Sequence, residues 1–173
     1  MQKDFENIDP YHLSESIFKL IGKDWMLIAS GGKNNFNMMT ASWGTCGILW
    51  NKPIAVIFVR PQRYTYDFLE KNDHFSLNFF DMSYRETLNL LGTQSGRDID
   101  KMAIEELHAD ELESGTVYFQ QARMVMECKK IYYDDIKPEF FTDPSIHNMY
   151  PAKDYHRMYI GELKSCWERK QVQ

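Results

Sequence analysis

Cysteine is scarce: Cys46, Cys128 and Cys166 are the only three in 173 residues. They lie too far apart for a metal or redox pair, and an odd number cannot all enter a disulfide framework. Each reads as a small buried apolar side chain in a reducing compartment. Basic charge is also in the minority, with 20 Lys and Arg against 25 Asp and Glu and a net charge of −5. That balance argues against a broad electrostatic grip on nucleic acid or an anionic membrane. The longest apolar run, Ile54 to Val59, is far short of the ~20 residues of a membrane span. The opening MQKDFENIDP has no apolar core of a signal peptide. These absences predict a soluble, cytoplasmic protein with no nucleic-acid or membrane partner.

Familiar chemistry motifs are missing as well. No G-x-G-x-x-G follows a strand, and no G-x-x-x-x-G-K-[ST] loop occurs. There is no G-x-S-x-G elbow and no H-E-x-x-H pair. His12, His74, His108, His147 and His156 are scattered, so no metal is expected. Glu105-Glu106 and Asp134-Asp135 have no apolar cup around them and read as solvated faces.

What is present is a globular composition, 43% hydrophobic and 26% charged, which fits one domain over residues 1–173. Residues 24–30 form a first strand candidate, ended by Gly31-Gly32-Lys33-Asn34-Asn35, and residues 36–46 should return beside it. Pro53 opens IAVIFV, apolar at every position and so covered on both faces. A short helix is predicted over 63–72, where Tyr64 and Phe68 share a face and Thr65 lies near the start. HFSLNFF alternates Phe75, Leu77 and Phe79 with Ser76 and Asn78, a half-buried strand. Ser83 and Glu86 have capping-box spacing for a helix burying Tyr84, Leu88 and Leu91. Residues 97–115 read as a solvated acidic loop with one helical turn. A long strand follows at 117–130, with Ala122, Met124, Met126 and Cys128 inward and Arg123, Glu127 and Lys129 outward. Residues 134–155 form an irregular excursion. The last strand, 156–167, changes phase at Gly161, as a β-bulge would. Short antiparallel strands with few helices predict a mainly β fold, an antiparallel barrel with peripheral helices.

Three stretches carry polar groups in unusual density. Asn37-Met38-Met39-Thr40-Ala41-Ser42-Trp43-Gly44 puts small and hydroxyl side chains along a strand, an edge against which a flat heteroaromatic could lie. The bland alternative is a strand face in solvent. Arg60-Pro61-Gln62-Arg63-Tyr64-Thr65 places two guanidinium groups and a hydroxyl at a helix start, which suits a phosphate monoester. Its alternative is a capped helix between two surface arginines. Ser95-Gly96-Arg97-Asp98-Ile99-Asp100-Lys101 is a polar glycine loop.

In this order and spacing, these stretches resemble the flavin reductase-like family, whose fold is the FMN-binding split β-barrel and whose members include flavoredoxins. The matching pieces are N-x-M-T-A-S-W-G at 37–44, the Lys52-Pro53 strand with R-x-x-x-x-T to Thr65, S-G-R-D-I-D-K at 95–101 and H-x-x-Y-I-G-E at 156–162. The resemblance implies a split barrel of Greek-key type, FMN as cofactor and a homodimer. The binding set that it implies is Asn37, Met39, Thr40, Ala41, Ser42, Trp43, Cys46, Arg60, Arg63, Tyr64, Thr65, Ser95, Gly96, Asp100 and Lys101. Residues 40–43 would lie beside the ring system, Arg60, Arg63 and Thr65 would hold the phosphate, and loop 95–101 would cover the cofactor. His156 would sit where the reductant docks. Nicotinamide-using members often have Gly-Asp before this His, whereas Asp154-Tyr155 stand here. An NAD(P)H-dependent flavin reductase is therefore the first expectation. A flavoredoxin-like carrier, reduced by a redox protein and without a nicotinamide site, is the second, and a flavin-binding protein without turnover the third.

Overall fold

The structure is a computed structural model that describes residues 4–170; the outermost residues at each end of the anticipated domain lie outside the described part. In chain order the strands are β1 (Phe5–Asn7), β2 (Met26–Gly32), β3 (Asn35–Ala41), β4 (Gly44–Leu49), β5 (Lys52–Val59), β6 (His74–Phe79), β7 (Ala109–Glu111), β8 (Val117–Phe119), β9 (Met124–Asp135) and β10 (Arg157–Arg169). The two longest helices are α1 (Tyr64–Lys71) and α2 (Arg85–Thr93).

The first hairpin forms as its glycines predict. Gly32 pairs with Asn35 across Lys33-Asn34. Gly31 has φ +108°, and a Cβ there would stand 2.3 Å from the Asn35 carbonyl oxygen, so only glycine fits. The strand starts at Met26 instead of Asp24 because Trp25 takes a positive φ of 71°. The return, expected as one strand over 36–46, breaks instead between Ala41 and Gly44.

That break shapes the molecule. The main sheet runs β3-β2-β6-β9-β10-β5-β4, with β1 added beside β10, and every pairing is antiparallel. Its two end strands, β3 and β4, are consecutive in the chain and joined by Ser42 and Trp43 alone. The sheet therefore curls round on itself, and Ile28, Ile57, Phe75, Leu77, Met126 and Tyr159 meet in one interior core. This is the anticipated antiparallel split barrel. β5 is covered on both faces, with Ala55, Ile57 and Val59 inside and Ile54 and Val56 packed against Ile160 outside.

A second core corrects several expectations. Leu27, Phe36, Leu88, Leu91, Val117 and Phe119 pack outside the barrel under α2 and the β7–β8 hairpin. Ser76 and Asn78 are consequently buried, not half-exposed. Their polar groups are satisfied, as burial demands. Ser76 Oγ donates to the Val117 carbonyl at 2.6 Å, and Asn78 Nδ2 donates to the Leu27 carbonyl at 3.2 Å. Asn78 Oδ1 accepts the Phe119 N–H at 3.2 Å.

The expected strand 117–130 is split into β8 and β9, because the chain must leave the small hairpin to join the barrel. Glu127 is buried and accepts from Ser165 Oγ at 2.8 Å, contrary to its expected outward position. Loop 97–115 contributes buried Leu107 and Leu112 and the strand β7, whose Glu111 accepts the Lys33 N–H at 2.8 Å, so it is not simply solvated. The Ser83-Glu86 capping box does not form. Residues Met82–Tyr84 make a 3-10 turn, and α2 starts at Arg85 without a side-chain cap.

In β10, Tyr159 and Leu163 face the core, and Cys166 faces it again, so the change of phase lies at Lys164. The register shift at Gly161 instead inserts Ile131 on the opposing β9. Gly161 serves close packing: a Cβ would stand 2.7 Å from Phe75 Cζ and 2.8 Å from Cys128 Cβ. Gly161→Ala should therefore cost about 1–3 kcal/mol of stability, whereas Gly47→Ala, with open space around its Cβ, should stay within about 0.5 kcal/mol. Urea unfolding of both variants checks this, and equal midpoints would contradict the packing role of Gly161.

Candidate functional site

Ser42 and Trp43 belong to neither neighbouring strand, so the chain between β3 and β4 is left as an open seam. Arg60 to Arg63 follow β5 directly and bring the start of α1 beside it. The result is a cavity of about 400 Å³ lined by Met39, Thr40, Ala41, Ser42, Trp43, Phe58, Arg60, Gln62, Arg63 and His156. A second cavity of about 200 Å³ shares Met39, Gln62 and Arg63 with it and adds Asn37, Tyr64, Thr65, Ser95, Gly96 and Lys101. The shared walls make one continuous groove.

The smaller end is polar and cationic. Arg63 stands at the N-cap of α1, and no side chain caps the helix; the Tyr66 N–H turns back to the Arg63 carbonyl at 2.9 Å, which leaves the N–H groups of Tyr64 and Thr65 for a ligand. Asn37 Nδ2 donates to Thr65 Oγ1 at 2.8 Å, tying β3 to the helix. Gly96 lies so close that a Cβ would meet Asn37 Oδ1 at 2.2 Å. Arg97 closes the turn from outside: it donates to the Gln62 carbonyl at 2.8 Å and pairs with Asp67 at 2.7 Å.

Lys101 is buried, and its Nζ donates to the carbonyls of Met38 at 3.0 Å and Leu91 at 2.7 Å. Burial, and then the Arg63 charge, push its pKa down to about 8. Burial and the Arg60 charge also lower that of Arg63. Among the described residues, Asp98 is the one carboxylate lining this end, so two cations this close exceed the negative charge beside them and describe a place for an anion.

The larger end is aromatic and roofed. Arg60 Nη1 pairs with Asp154 at 2.7 Å, its Nη2 donates to the Met149 carbonyl at 2.9 Å, and its guanidinium lies 5.2 Å from the centre of the Tyr150 ring. Gln62 also donates to Asp154. The excursion after β9, including 3-10 turns Pro138–Phe140 and Pro144–Met149, is thereby fastened over the groove. Burial would raise the Asp154 pKa, but the Arg60 and Gln62 hydrogen bonds hold it below the usual range. His156 is only 7% exposed. Its Nδ1 is 2.8 Å from Tyr150 Oη, and its ring centre is 5.0 Å from that of Trp43. Burial, reinforced by Arg60, lowers its pKa to about 4, so the imidazole is neutral at physiological pH.

Most of the anticipated set meets along this groove: Asn37, Met39, Thr40, Ala41, Ser42, Trp43, Arg60, Arg63, Tyr64, Thr65, Ser95, Gly96, Lys101 and His156. Cys46 and Asp100 do not. Cys46 lies on β4 and packs against the interior core, where burial raises its pKa to about 11. Asp100 accepts the Met102 N–H at 2.9 Å as a turn cap. Thr40 is at the groove, but its hydroxyl donates to the Leu88 carbonyl at 2.6 Å. Arg60 serves the roof instead of standing free. Phe58, Gln62 and Tyr150 were not anticipated. Gln62 could have been found between two arginines, while Tyr150 lies in a stretch without pattern. Among the described residues, no cluster of three metal-ligating side chains occurs and no helix is long and apolar enough to cross a membrane.

The family model described as flavin reductase like domain matches residues 19–173. No curated protein matches the chain. Among solved structures, flavoredoxin from Methanosarcina acetivorans is similar at TM-score 0.67 and 18% identity, over 87% of this chain and 70% of that one. The FMN-binding protein from Thermus thermophilus with bound p-hydroxybenzaldehyde aligns at TM-score 0.67 and 19% identity, over 94% and 83%. An NADH:FAD oxidoreductase from Streptomyces globisporus aligns at 0.63 and 16%, over 85% and 74%.

The buried ammonium of Lys101 has a pH signature. Its folded pKa of about 8 lies below the ~10.4 of an unfolded lysine, so the folded state releases this proton first. Stability from this group is complete above the unfolded value and is lost as pH falls through about 8, a swing of about 3 kcal/mol. Measured by urea unfolding, the wild type should gain on Lys101→Met by that amount across the window. A constant difference between the two proteins would contradict the burial argument.

Proposed function

The chain belongs to the flavin reductase-like domain family, and from that membership we propose that its groove binds FMN and that the protein is an NAD(P)H-dependent flavin reductase. The observation that carries this reading is the continuity of the groove, cationic at one end and aromatic at the other. Arg63, Lys101, the uncapped start of α1 and the Ser95-Gly96 turn suit a phosphate monoester. The open backbone of residues 41–43 suits the donor–acceptor rim of a flat ring, with Trp43 and Phe58 as apolar walls. Joined as one groove, the cavities of about 400 and 200 Å³ together fall within the size range of cofactor sites, about 300–1,000 Å³. These residues fit the cofactor that the family resemblance implied.

Bound FMN would supply the hydride- and electron-accepting chemistry. The chain's own residues orient it and control access. Arg63 and Lys101 would neutralise the phosphate, whereas the Arg60 charge is already offset by Asp154 and contributes less. The roof excludes water on the side of His156, which stays neutral and places no charge beside the reacting ring.

Dimerisation belongs to the same reading. Ile48, Trp50 and Tyr132 are exposed at 57%, 58% and 43%, and the last two rings lie 6.3 Å apart. Exposed apolar groups of this kind suit a second copy of the chain.

A carrier reading, in which a partner protein reduces the flavin, is favoured by one observation. Tyr150 and Asp154 cover His156 and Arg60, the groups that a nicotinamide nucleotide would otherwise reach. Anaerobic mixing of the FMN-loaded protein with NADH or NADPH separates the two. The reductase reading expects bleaching of the visible flavin band by one of them; bleaching by reduced ferredoxin alone would favour the carrier. Arg63→Ala should weaken FMN binding by about 1.5–3 kcal/mol, the worth of a charge-assisted hydrogen bond. An unchanged affinity would remove Arg63 from the phosphate site.

A further inference from the structure

The excursion between β9 and β10 does more than cover the groove, because it brings a phenol to His156. Tyr150 is 5% exposed. Its ring stacks on Phe141 at 6.1 Å and 21°, lies 4.9 Å from Tyr155, and meets His156 edge-on at 5.5 Å. The Arg60 ties to Asp154 and the Met149 carbonyl hold the segment on both sides of Tyr150. The phenol therefore has one place to be, 2.8 Å from His156 Nδ1.

A neutral imidazole has one N–H and one lone pair, and the bond made by one nitrogen decides the state of the other. The charged groups that act on this ring are Arg60, Arg63 and Asp154, and the two cations outweigh the single carboxylate in keeping it neutral. If Nδ1 carried the proton, the buried phenol O–H would lose its acceptor, which is costly. With the phenol donating to Nδ1, Nε2 carries the proton. Among the described residues, the only fully buried side-chain nitrogen or oxygen without a partner is Asp154 Oδ1. His156 Nε2 also has no protein partner, so it is open to the 400 Å³ cavity that this residue lines. No carboxylate lines that cavity, and a flavin ring held against Trp43 and Phe58 would itself offer a second ring a flat face to stack on.

We infer that Tyr150 is a positioning residue that fixes His156 with its Nε2–H donating into the cavity, and that the second ligand admitted there is a planar ring bearing a carbonyl oxygen as acceptor. This rests on the flavin reading for the ligand's redox role, but the Tyr150–His156 pair itself does not. Carbonyl acceptors of this kind occur both in the carboxamide of a nicotinamide and in a quinone.

The test uses the full chain labelled with 15N-histidine. Long-range 1H–15N spectra of the wild type should show His156 as a single Nε2–H tautomer that does not titrate between about pH 5 and 8. Tyr150→Phe keeps the aromatic ring and removes only the hydroxyl, and it should shift the population toward Nδ1–H. Nicotinamide or menadione, added to the FMN-loaded wild type, should move the Nε2–H resonance, while pyridine and naphthalene, which lack a carbonyl, should not. The more effective of the first two identifies the source of the acceptor. A wild-type Nδ1–H tautomer, or an unchanged tautomer in Tyr150→Phe, overturns the positioning role. Equal shifts from carbonyl-free rings, or none from either carbonyl compound, overturn the ligand class. A visible spectrum without bound FMN would mark failure of the flavin reading, and the tautomer measurements on flavin-free protein would still decide the Tyr150 role.

Discussion

The arrangement depends on a seam. A sheet whose two end strands are consecutive in the chain must bend back on itself, and only Ser42 and Trp43 join β3 to β4. Two residues cannot carry both strands in one ladder while each keeps its own partner, β2 on one side and β5 on the other. Gly44 permits the sharp departure, since a Cβ there would stand 2.7 Å from the Val56 carbonyl oxygen. Backbone polar groups at such a seam must be satisfied by something other than the sheet. The groove lies along it for that reason.

Charge is distributed along the groove by three different devices. Lys101 is held by two backbone carbonyls, an arrangement that leaves its charge unbalanced by any anion. Arg63 is half-buried beside a second guanidinium, and the proximity disfavours its charge. Arg60 is balanced by Asp154. Positive charge therefore exceeds negative near the start of α1, where Asp98 is the one carboxylate among the described residues lining the cavity, and the end under the roof stays close to neutral. Buried like charges of this kind destabilise a protein without its ligand, and the binding of an anion there would relieve the strain between them.

Elements with a local cause were legible in the sequence. The Gly31 hairpin, the all-apolar β5, the helix beginning near Thr65 and the polar strand at 37–43 follow from spacing and turn chemistry. Their assembly, which brings Arg63, Thr65 and Gly96 to one place, was anticipated through resemblance to a family and not through periodicity. What failed depended on distant partners. Ser76 and Asn78 alternate like solvent-facing residues, yet the β7–β8 hairpin covers them. The bulge read at Gly161 does form, but the extra residue is Ile131 on β9, and the missing side chain of Gly161 also makes room for Phe75. Asp154, distant in sequence, pairs with the Arg60 guanidinium, a partner that no local pattern announces. Tyr150 had no local signal at all, because its meaning depends entirely on where the Arg60 ties place it.

The central claim is that the cationic end of this groove holds the phosphate of a flavin mononucleotide. Equilibrium titration with FMN and with riboflavin, which lacks only the phosphate, tests it most directly. The fluorescence of each ligand on addition of protein gives its affinity. FMN should bind with Kd in the micromolar range or tighter, and riboflavin at least about tenfold more weakly, as loss of one charge-assisted contact requires. Equal affinities for the two, or no binding of either, would contradict the account.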